Sequence, residues 1–376
     1  MSAGAFLGGG EMRKAINVFR GFAALYVAVY HLRYFTHFDW FGHFPVLRFG
    51  YIGVDFFFIL SGLIISHVYL ARAKHGDLRF WGKFIWYRIA RLFPVHLLIM
   101  LAMLGAACAA PMITADAQLP DQKSLLDWLS LTLLVRQWFL PDGYVWNSPA
   151  WSVSAEFFAY LVLFPLIAQL VRLVPHALAR TVLLAVGVSM FMLLWASSGT
   201  LNMTAGAGPL IRITAGFASG CWLYLLLSEV RRTPMHDRLL VGLLVILPLA
   251  MVMPVSLFAV TRPVIELAVL ASISSLVCLA YLADGRGSRW LAQRPLFYFG
   301  EISFALYMCH VPVMTLCRWA ADLAGIERGF SFGIAILIAS LVVAELLHRR
   351  AEIPSRAAMR RWYERSQSAG RTLRPA

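Results

Sequence analysis

The chain has 376 residues, of which 60% are hydrophobic and 14% are charged, whereas an average soluble domain has about 45–50% and about 25%. This composition excludes a water-soluble enzyme. The formal net charge of +14 would suit a nucleic-acid partner, but the basic residues lie between apolar runs, so we expect no nucleic acid to bind. The apolar runs recur from end to end, and at about 20 residues each can cross a bilayer as a helix.

These runs predict an all-α, polytopic transmembrane helix bundle of about ten spans. An even number of spans places both termini on one side. The basic residues concentrate on that side, which the positive-inside rule assigns to the cytoplasm. Residues 1–348 form the predicted membrane domain, and 349–376 form a basic cytoplasmic tail that we expect to be partly disordered and attracted to the membrane surface. The predicted spans are near 15–35, 51–71, 92–111, 150–171, 181–197, 209–228, 239–257, 264–283, 297–317 and 330–347.

Two further features concern the organisation of the chain. The stretch 125–140 is too short and too polar for a span, so we interpret it as an interfacial or re-entrant segment. The five cysteines lie in or beside apolar segments without CxxC spacing, which predicts neither a disulfide framework nor a metal site.

The first span carries two groups that a membrane tolerates poorly, Arg20 and His31. Eleven residues of helix return to within about 20° of the same face and rise about 16 Å, so both side chains line one wall. A fixed cation and an imidazole able to accept a proton suit catalysis. A structural histidine with an ion-paired or snorkelling arginine fits the spacing equally well.

The second span opens with Asp55, which can pair with Arg20, orient His31 or lie at the interface. The basic loop that follows ends in Arg88 and Arg91, whose i, i+3 spacing places them on neighbouring faces at the cytoplasmic surface. Such a fork can hold a phosphate, although arginines that only set the topology are common at this place.

The fourth span begins with Trp151 and Ser152, and Ser152 shares a face with Glu156. The predicted topology places Glu156 in the outer leaflet, where it can bind a sugar hydroxyl, polarise a histidine or pair with an internal arginine. In the sixth span, Arg212 lies near the outer end. It precedes Gly216 and Gly220, a GxxxG pair typical of close helix packing.

The ninth span places Ser303, Tyr307 and His310 along one stripe. This stripe is a second buried polar seam. His310 lies near mid-membrane, where a catalytic histidine and a histidine bonded to a neighbouring helix are both consistent with the pattern.

Together these segments resemble the membrane-bound acyltransferase 3 family of bacterial acyltransferases. The resemblance rests on Arg20 with His31, on GVDFFFILSG at 53–62, on Arg88-Ile-Ala-Arg91, on WSVSAE at 151–156 and on GEISFALYMCH at 300–310. The motifs occur in the family's order and cover most of the chain.

The resemblance implies an enzyme of the bacterial cytoplasmic (inner) membrane. It transfers an acyl group, usually acetyl, from cytoplasmic acyl-coenzyme A to a hydroxyl. Arg88 and Arg91 then correspond to the family's coenzyme A motif. Many relatives carry an external hydrolase-like domain, which we do not find in this sequence, so we expect transfer to finish inside the bundle. The implied acceptor is exopolysaccharide, O-antigen, a lipid-linked sugar or a macrolide-type compound, and succinyl can replace acetyl.

The mechanistic hypothesis makes His31 a general base or an acyl carrier, with Arg20 offsetting the oxyanion and Asp55 or Glu156 fixing the imidazole. His310 is a further catalytic candidate. The residues predicted to bind substrate are Trp151, Ser152, Arg212 and Tyr307. The alternative function is a transporter of a polysaccharide or small molecule with an intramembrane proton relay.

Overall fold

The computed structural model describes residues 10–73, 75–113, 125–139, 147–252, 262–283, 286–291 and 293–372. These ranges contain helices and no strand. The α-helices are α1 Gly10–His31, α2 Trp40–His43, α3 Ile52–Ile65, α4 Ala71–Ala73, α5 Leu78–Ile113, α6 Leu125–Thr132, α7 Arg136–Phe139, α8 Ala150–Phe158, α9 Phe164–Leu173, α10 His176–Ser198, α11 Gly208–Leu227, α12 Pro234–Val252, α13 Arg262–Leu282, α14 Arg286–Leu291, α15 Arg294–Glu301, α16 Ser303–Leu323, α17 Phe330–Leu347 and α18 Ile353–Thr372.

The described chain has eight helices long and apolar enough to cross a membrane, or nine if the bent pair α15–α16 forms one span. That pair bends by 59° next to Ile302. The predicted polytopic all-α bundle is therefore confirmed. The predicted span at 239–257 extends beyond the described residues. Helix α3 lies at the centre, since 67% of its span is buried, against 22% for α10.

Short π-helical turns join three pairs of helices into continuous rods: α3 to α4, α8 to α9 and α17 to α18. Such turns occur often at functional sites because they shift the side chains that follow. The turn Ala159–Leu163 carries Tyr160, and the turn His348–Glu352 begins the C-terminal helix.

Two basic segments differ from expectation. The loop predicted after the second span is helical from Leu78, so α5 has 36 residues and measures about 54 Å. The tail predicted to be partly disordered is helical from Ile353 to Thr372 and packs on α5. Neither expectation anticipated that α5 and α18 continue beyond the apolar spans and pack on each other.

The stretch predicted as interfacial or re-entrant consists of the two short helices α6 and α7. Leu134 in the turn between them has a φ of 58°. His96 Nε2 of α5 lies 2.9 Å from the Leu131 carbonyl oxygen, and Trp138 Nε1 donates to the Ser154 carbonyl oxygen at 2.9 Å. These contacts hold the segment against α5 and α8.

Glycines allow α3 and α11 to approach at backbone distance. A Cβ at Gly220 would collide with the Ile59 carbonyl oxygen, and a Cβ at Gly62 would collide with the Phe217 carbonyl oxygen. A Cβ at Gly216 would likewise collide with the side chain of Phe58. The close packing predicted from GxxxG is therefore present.

Substituting Gly220 by alanine should lower the free energy of unfolding by about 1–3 kcal/mol, because the new methyl meets backbone that cannot move aside. Gly105→Ala is the matched control, since a Cβ there has no heavy atom within 4 Å. Alanine favours helix over glycine by about 0.5–1 kcal/mol, so the control should not destabilise. Thermal unfolding in detergent measures both. Equal melting temperatures for the two variants would contradict the tight contact.

Candidate active site

Two cavities adjoin each other at Val54 of α3 and Tyr307 of α16, which line both. We call the first the arginine cavity, because Arg20, Arg88 and Arg91 line it. The second is the histidine cavity, which has a volume of about 460 Å³ and is lined by His31 and Arg212 among others. The arginine cavity is the narrower of the two, with about 70 Å³.

Glu156 is the acidic group of the arginine cavity. Its Oε1 accepts hydrogen bonds from Ser61 Oγ (2.9 Å) and from the Tyr160 hydroxyl. The carboxylate interacts electrostatically with Arg20. The fold places Glu156 in the cavity with Arg88, and this residue does not line the histidine cavity.

Arg88 is 7% exposed and lies among three aromatic rings. Its guanidinium is 5.4–5.7 Å from the ring centres of Tyr69, Phe84 and Tyr160, and Nη2 donates to the Tyr69 hydroxyl at 3.1 Å. Within the described residues, Nε of Arg88 and the buried Oγ of Ser303 have no hydrogen-bond partner. Both side chains line the arginine cavity, so it offers two donors to a ligand.

His31 pairs with His310 across α1 and α16. His31 Nδ1 is 2.9 Å from the Val27 carbonyl oxygen and 3.2 Å from His310 Nε2. His310 Nδ1 is 3.2 Å from the Leu306 carbonyl oxygen. A carbonyl oxygen can only accept, so for neutral rings this network assigns a proton to each Nδ1. His310 Nε2 then accepts from His31, and His31 Nε2 keeps its lone pair for the histidine cavity.

This network corrects the expectation that Asp55 or Glu156 fixes the imidazole of His31. The groups that do so are the Val27 carbonyl and His310. His310 is fully buried, and it does not line the histidine cavity. Its ring contacts His31 instead of facing that cavity.

Asp55 and Arg212 form a fully buried ion pair between α3 and α11. Arg212 Nη2 donates to Asp55 Oδ2 at 2.6 Å and Nε donates to Oδ1 at 3.0 Å. Nη2 also lies 3.3 Å from the Tyr51 carbonyl oxygen, and the guanidinium is 5.0 Å from the centre of the Trp151 ring. The expected pair of Asp55 with Arg20 does not form. In the described chain, Nη1 of Arg212 has no hydrogen-bond partner.

The partition between the cavities contains a polar contact. The Tyr307 hydroxyl and Ser152 Oγ are 2.6 Å apart, and the Tyr307 ring packs on Phe57 and on the ring of His310. Tyr307, like Val54, therefore lies between the arginine cavity and the histidine cavity.

The structure divides the residues singled out in the sequence into two sets around this partition. Arg20, Arg88, Arg91, Ser152 and Glu156 line the arginine cavity, whereas His31, Trp151 and Arg212 line the histidine cavity. Asp55 supports the second set through Arg212. No group of three His, Cys, Asp or Glu side chains that could hold a metal ion occurs in the described ranges.

Sequence reasoning missed two hydrogen-bond partners of Glu156. Tyr160 lies at i+4 from Glu156 on the same face, a spacing that could have revealed it. Ser61 lies 95 residues away, and only the packing of α3 against α8 brings it near.

The fold and the two cavities define a polytopic membrane protein with an internal, polar site that reaches a histidine in its core. A family model described as an acyltransferase domain matches residues 13–349, so the chain belongs to the acyltransferase 3 family and is an acyltransferase. No solved structure matches the chain.

Curated relatives are consistent with this membership. The chain is 29% identical over 332 residues to the acyltransferase MdmB of Streptomyces mycarofaciens, covering 81% of this chain and 80% of that protein. It is 24% identical over 374 residues to the peptidoglycan O-acetyltransferase OatA of Listeria monocytogenes, covering 91% of this chain and 55% of that protein. The chain therefore aligns with about half of the Listeria protein.

Proposed function

We propose that the protein is a membrane O-acyltransferase that moves an acyl group, acetyl in the first instance, from acyl-coenzyme A to a carbohydrate hydroxyl. The observation that carries the proposal is the arrangement of two cavities that meet at Tyr307, one lined by arginines and the other by His31. Acyl-coenzyme A carries phosphates at one end and a thioester at the other. The arginines of one cavity match the phosphates, and His31 in the other cavity matches the thioester. The peptidoglycan O-acetyltransferase relative supports an O-acyl product.

The donor enters at the arginine cavity. Guanidinium groups of Arg88 and Arg91 bind its phosphates, since they match phosphate geometry bidentately. The uncharged thioester arm extends toward Tyr307 and His31. Under the positive-inside rule this end, with both termini, faces the cytoplasm, and the membrane is the bacterial inner membrane.

In the direct mechanism, His31 Nε2 takes the proton of the acceptor hydroxyl as its oxygen attacks the thioester carbonyl carbon. The carbon–sulfur bond breaks, and coenzyme A leaves as the thiol after taking a proton from the imidazolium. In the two-step mechanism, Nε2 itself attacks the thioester carbonyl carbon, the carbon–sulfur bond breaks and coenzyme A leaves as the thiolate. The acceptor hydroxyl oxygen then attacks the acyl carbon, the bond from that carbon to Nε2 breaks, and the hydroxyl proton passes to the coenzyme A thiolate. His310 and Val27 orient the ring in both.

Cationic groups stabilise the oxyanion of the tetrahedral intermediate in either mechanism. Arg212 lines the same cavity as His31 and has an unpartnered Nη1 within the described chain. Arg20 lies on the other side of the partition, so in this proposal it acts on the donor end instead.

The acceptor occupies the histidine cavity. Its wall combines aromatic rings that can stack on a sugar, such as Tyr34 and Trp151, with amide and hydroxyl groups of Asn202 and Ser148. This lining favours a sugar hydroxyl from exopolysaccharide, O-antigen or a lipid-linked precursor.

Acetyl-coenzyme A should raise the melting temperature of the purified protein, because a ligand that binds only the folded state stabilises it. The gain is about 2.7 kcal/mol at a hundredfold excess over Kd. Arg88→Ala/Arg91→Ala should abolish the shift. Arg72→Ala/Arg79→Ala removes the same charge from exposed positions and should retain it. A wild-type protein that shows no shift up to millimolar ligand would refute the donor assignment and favour transport.

A further inference from the structure

The C-terminal helix α18 covers the part of α5 that borders the arginine cavity. Trp86 Nε1 of α5 donates to the Met359 carbonyl oxygen at 2.8 Å, and the Tyr87 hydroxyl donates to Glu364 at 3.0 Å. These two bonds hold α18 on either side of Arg360. The segment expected to be a basic tail is thus a docked helix beside Arg88.

Two arginines of α18 interact with the arginines of the arginine cavity without lining that cavity. Arg356 interacts electrostatically with Arg88, Arg91 and Arg360, and Arg360 interacts with both arginines of α5. The Arg360 guanidinium also lies 5.0 Å from the centre of the Tyr87 ring. Two helices distant in sequence therefore bring four guanidinium groups together.

Acidic groups also lie near these arginines. Glu352 forms an ion pair with Arg356 (3.2 Å) and also bonds His348 at 2.8 Å. Glu301 interacts electrostatically with Arg356. Glu156 lines the arginine cavity and is bonded to Ser61 and Tyr160.

Like charges held together in a partly buried place repel one another, and a bound polyanion would remove that cost. Arg88 gives an independent indication of a ligand. It is 93% buried and lines the cavity, and within the described residues its Nε has no hydrogen-bond partner.

We infer that Arg356 and Arg360 of α18 join Arg88 and Arg91 in binding the phosphate groups of the donor nucleotide. The C-terminal helix is then part of the donor site. This inference rests on the proposed function, because the donor is acyl-coenzyme A. Coenzyme A carries a diphosphate and a separate phosphate monoester, and each group can engage a guanidinium fork.

A phosphate-bearing lipid headgroup offers the same chemistry at the membrane surface. Arg88 and Arg91 line a cavity that extends to Tyr307, and this position favours the donor, since a headgroup needs no path into the bundle. The two sources differ in one measurable respect. Donor binding gives a preference for coenzyme A over pantetheine, which lacks all the phosphates, whereas headgroup binding gives attraction to vesicles of an anionic phospholipid.

The test uses the full-length protein in phosphatidylcholine nanodiscs and measures the dissociation constants of coenzyme A and pantetheine. Arg356→Ala/Arg360→Ala should lower the preference for coenzyme A over pantetheine at least tenfold. Arg361→Ala/Arg365→Ala, which removes two exposed arginines from the same helix, should leave the preference unchanged.

Arg356→Lys/Arg360→Lys keeps the charge and the attraction to Glu352 but loses the guanidinium fork. It should lower the preference by a smaller factor, at least threefold, and it provides a test if the alanine protein does not fold.

Other outcomes separate this inference from the proposed function. If Arg88→Ala/Arg91→Ala loses the preference and both α18 variants keep it, the donor site excludes α18 and the inference fails alone. If wild-type protein binds no coenzyme A, both the inference and the proposed function fail. If the α18 variants lose only binding to phosphatidylglycerol vesicles, the ligand is a lipid headgroup and the inference is overturned.

Discussion

His31→Ala should lower acyl transfer at least about a hundredfold while leaving the melting temperature within a few degrees of wild type. A positioned general base contributes about 10²–10⁴ to the rate, and loss of an acyl carrier removes the two-step route altogether. His31 is only partly buried and faces a cavity, so alanine removes few packing contacts. The measurement is transfer from radiolabelled acetyl-coenzyme A to base-labile esters in membranes of the complemented deletion strain.

His75→Ala is the matched control, because that histidine is exposed and does not line either cavity. It should transfer at the wild-type rate. Normal transfer by a His31→Ala protein that inserts normally would eliminate both versions of the mechanism. Radiolabel trapped on wild-type protein by acid quench, and absent from the alanine variant, would support the acyl-histidine route.

The sequence predicted the helices well because hydrophobic length is a local property. Nine of the ten expected spans correspond to the helices or the bent pair of the described chain. The Gly216–Gly220 contact was also predictable, since small residues four apart leave a groove wherever a helix packs. Helix periodicity predicted one shared wall for Arg20 and His31, whereas Arg20 lines the arginine cavity and His31 lines the histidine cavity.

The cavity that Glu156 lines was not predictable in the same way. Counting residues from the start of a span assumes that the helix begins at the membrane surface. Helix α8 begins inside the protein, since Asn147 is 2% exposed and its Nδ2 donates to the Met308 carbonyl oxygen, while Ala150 is 3% exposed. Glu156 follows this buried start and lines the arginine cavity.

The sequence also did not predict which residues pair with the buried charged groups. Periodicity gives the face of one helix but not the identity of the helix that packs against it. Asp55 and Arg212 are 157 residues apart, and Glu156 and Ser61 are 95 apart. The choice of Arg212 over Arg20 follows from the close approach of α3 and α11 that Gly62, Gly216 and Gly220 allow.

Breaking the buried Asp55–Arg212 pair should lower the free energy of unfolding more than breaking the exposed Arg180–Glu229 pair. Both side chains are fully buried, so Asp55→Ala leaves an uncompensated guanidinium in the bundle. Removing one partner of a buried pair costs about 3–5 kcal/mol, because the remaining charge keeps its desolvation penalty without its counter-ion. Unfolding of the purified protein in detergent measures the loss. Transfer should fall as well, since Arg212 lines the cavity of His31.

The exposed pair Arg180–Glu229 supplies the control, with side chains 27% and 53% exposed. Glu229→Ala should cost at most about 1 kcal/mol, as solvent screens that pair. Asp55→Leu/Arg212→Met should regain much of the stability lost in Asp55→Ala, because it removes both charges together. Transfer should stay low in this double variant, since the cation beside His31 is absent. A double variant as unstable as the single one would show that the cost lies in packing and not in the unpaired charge.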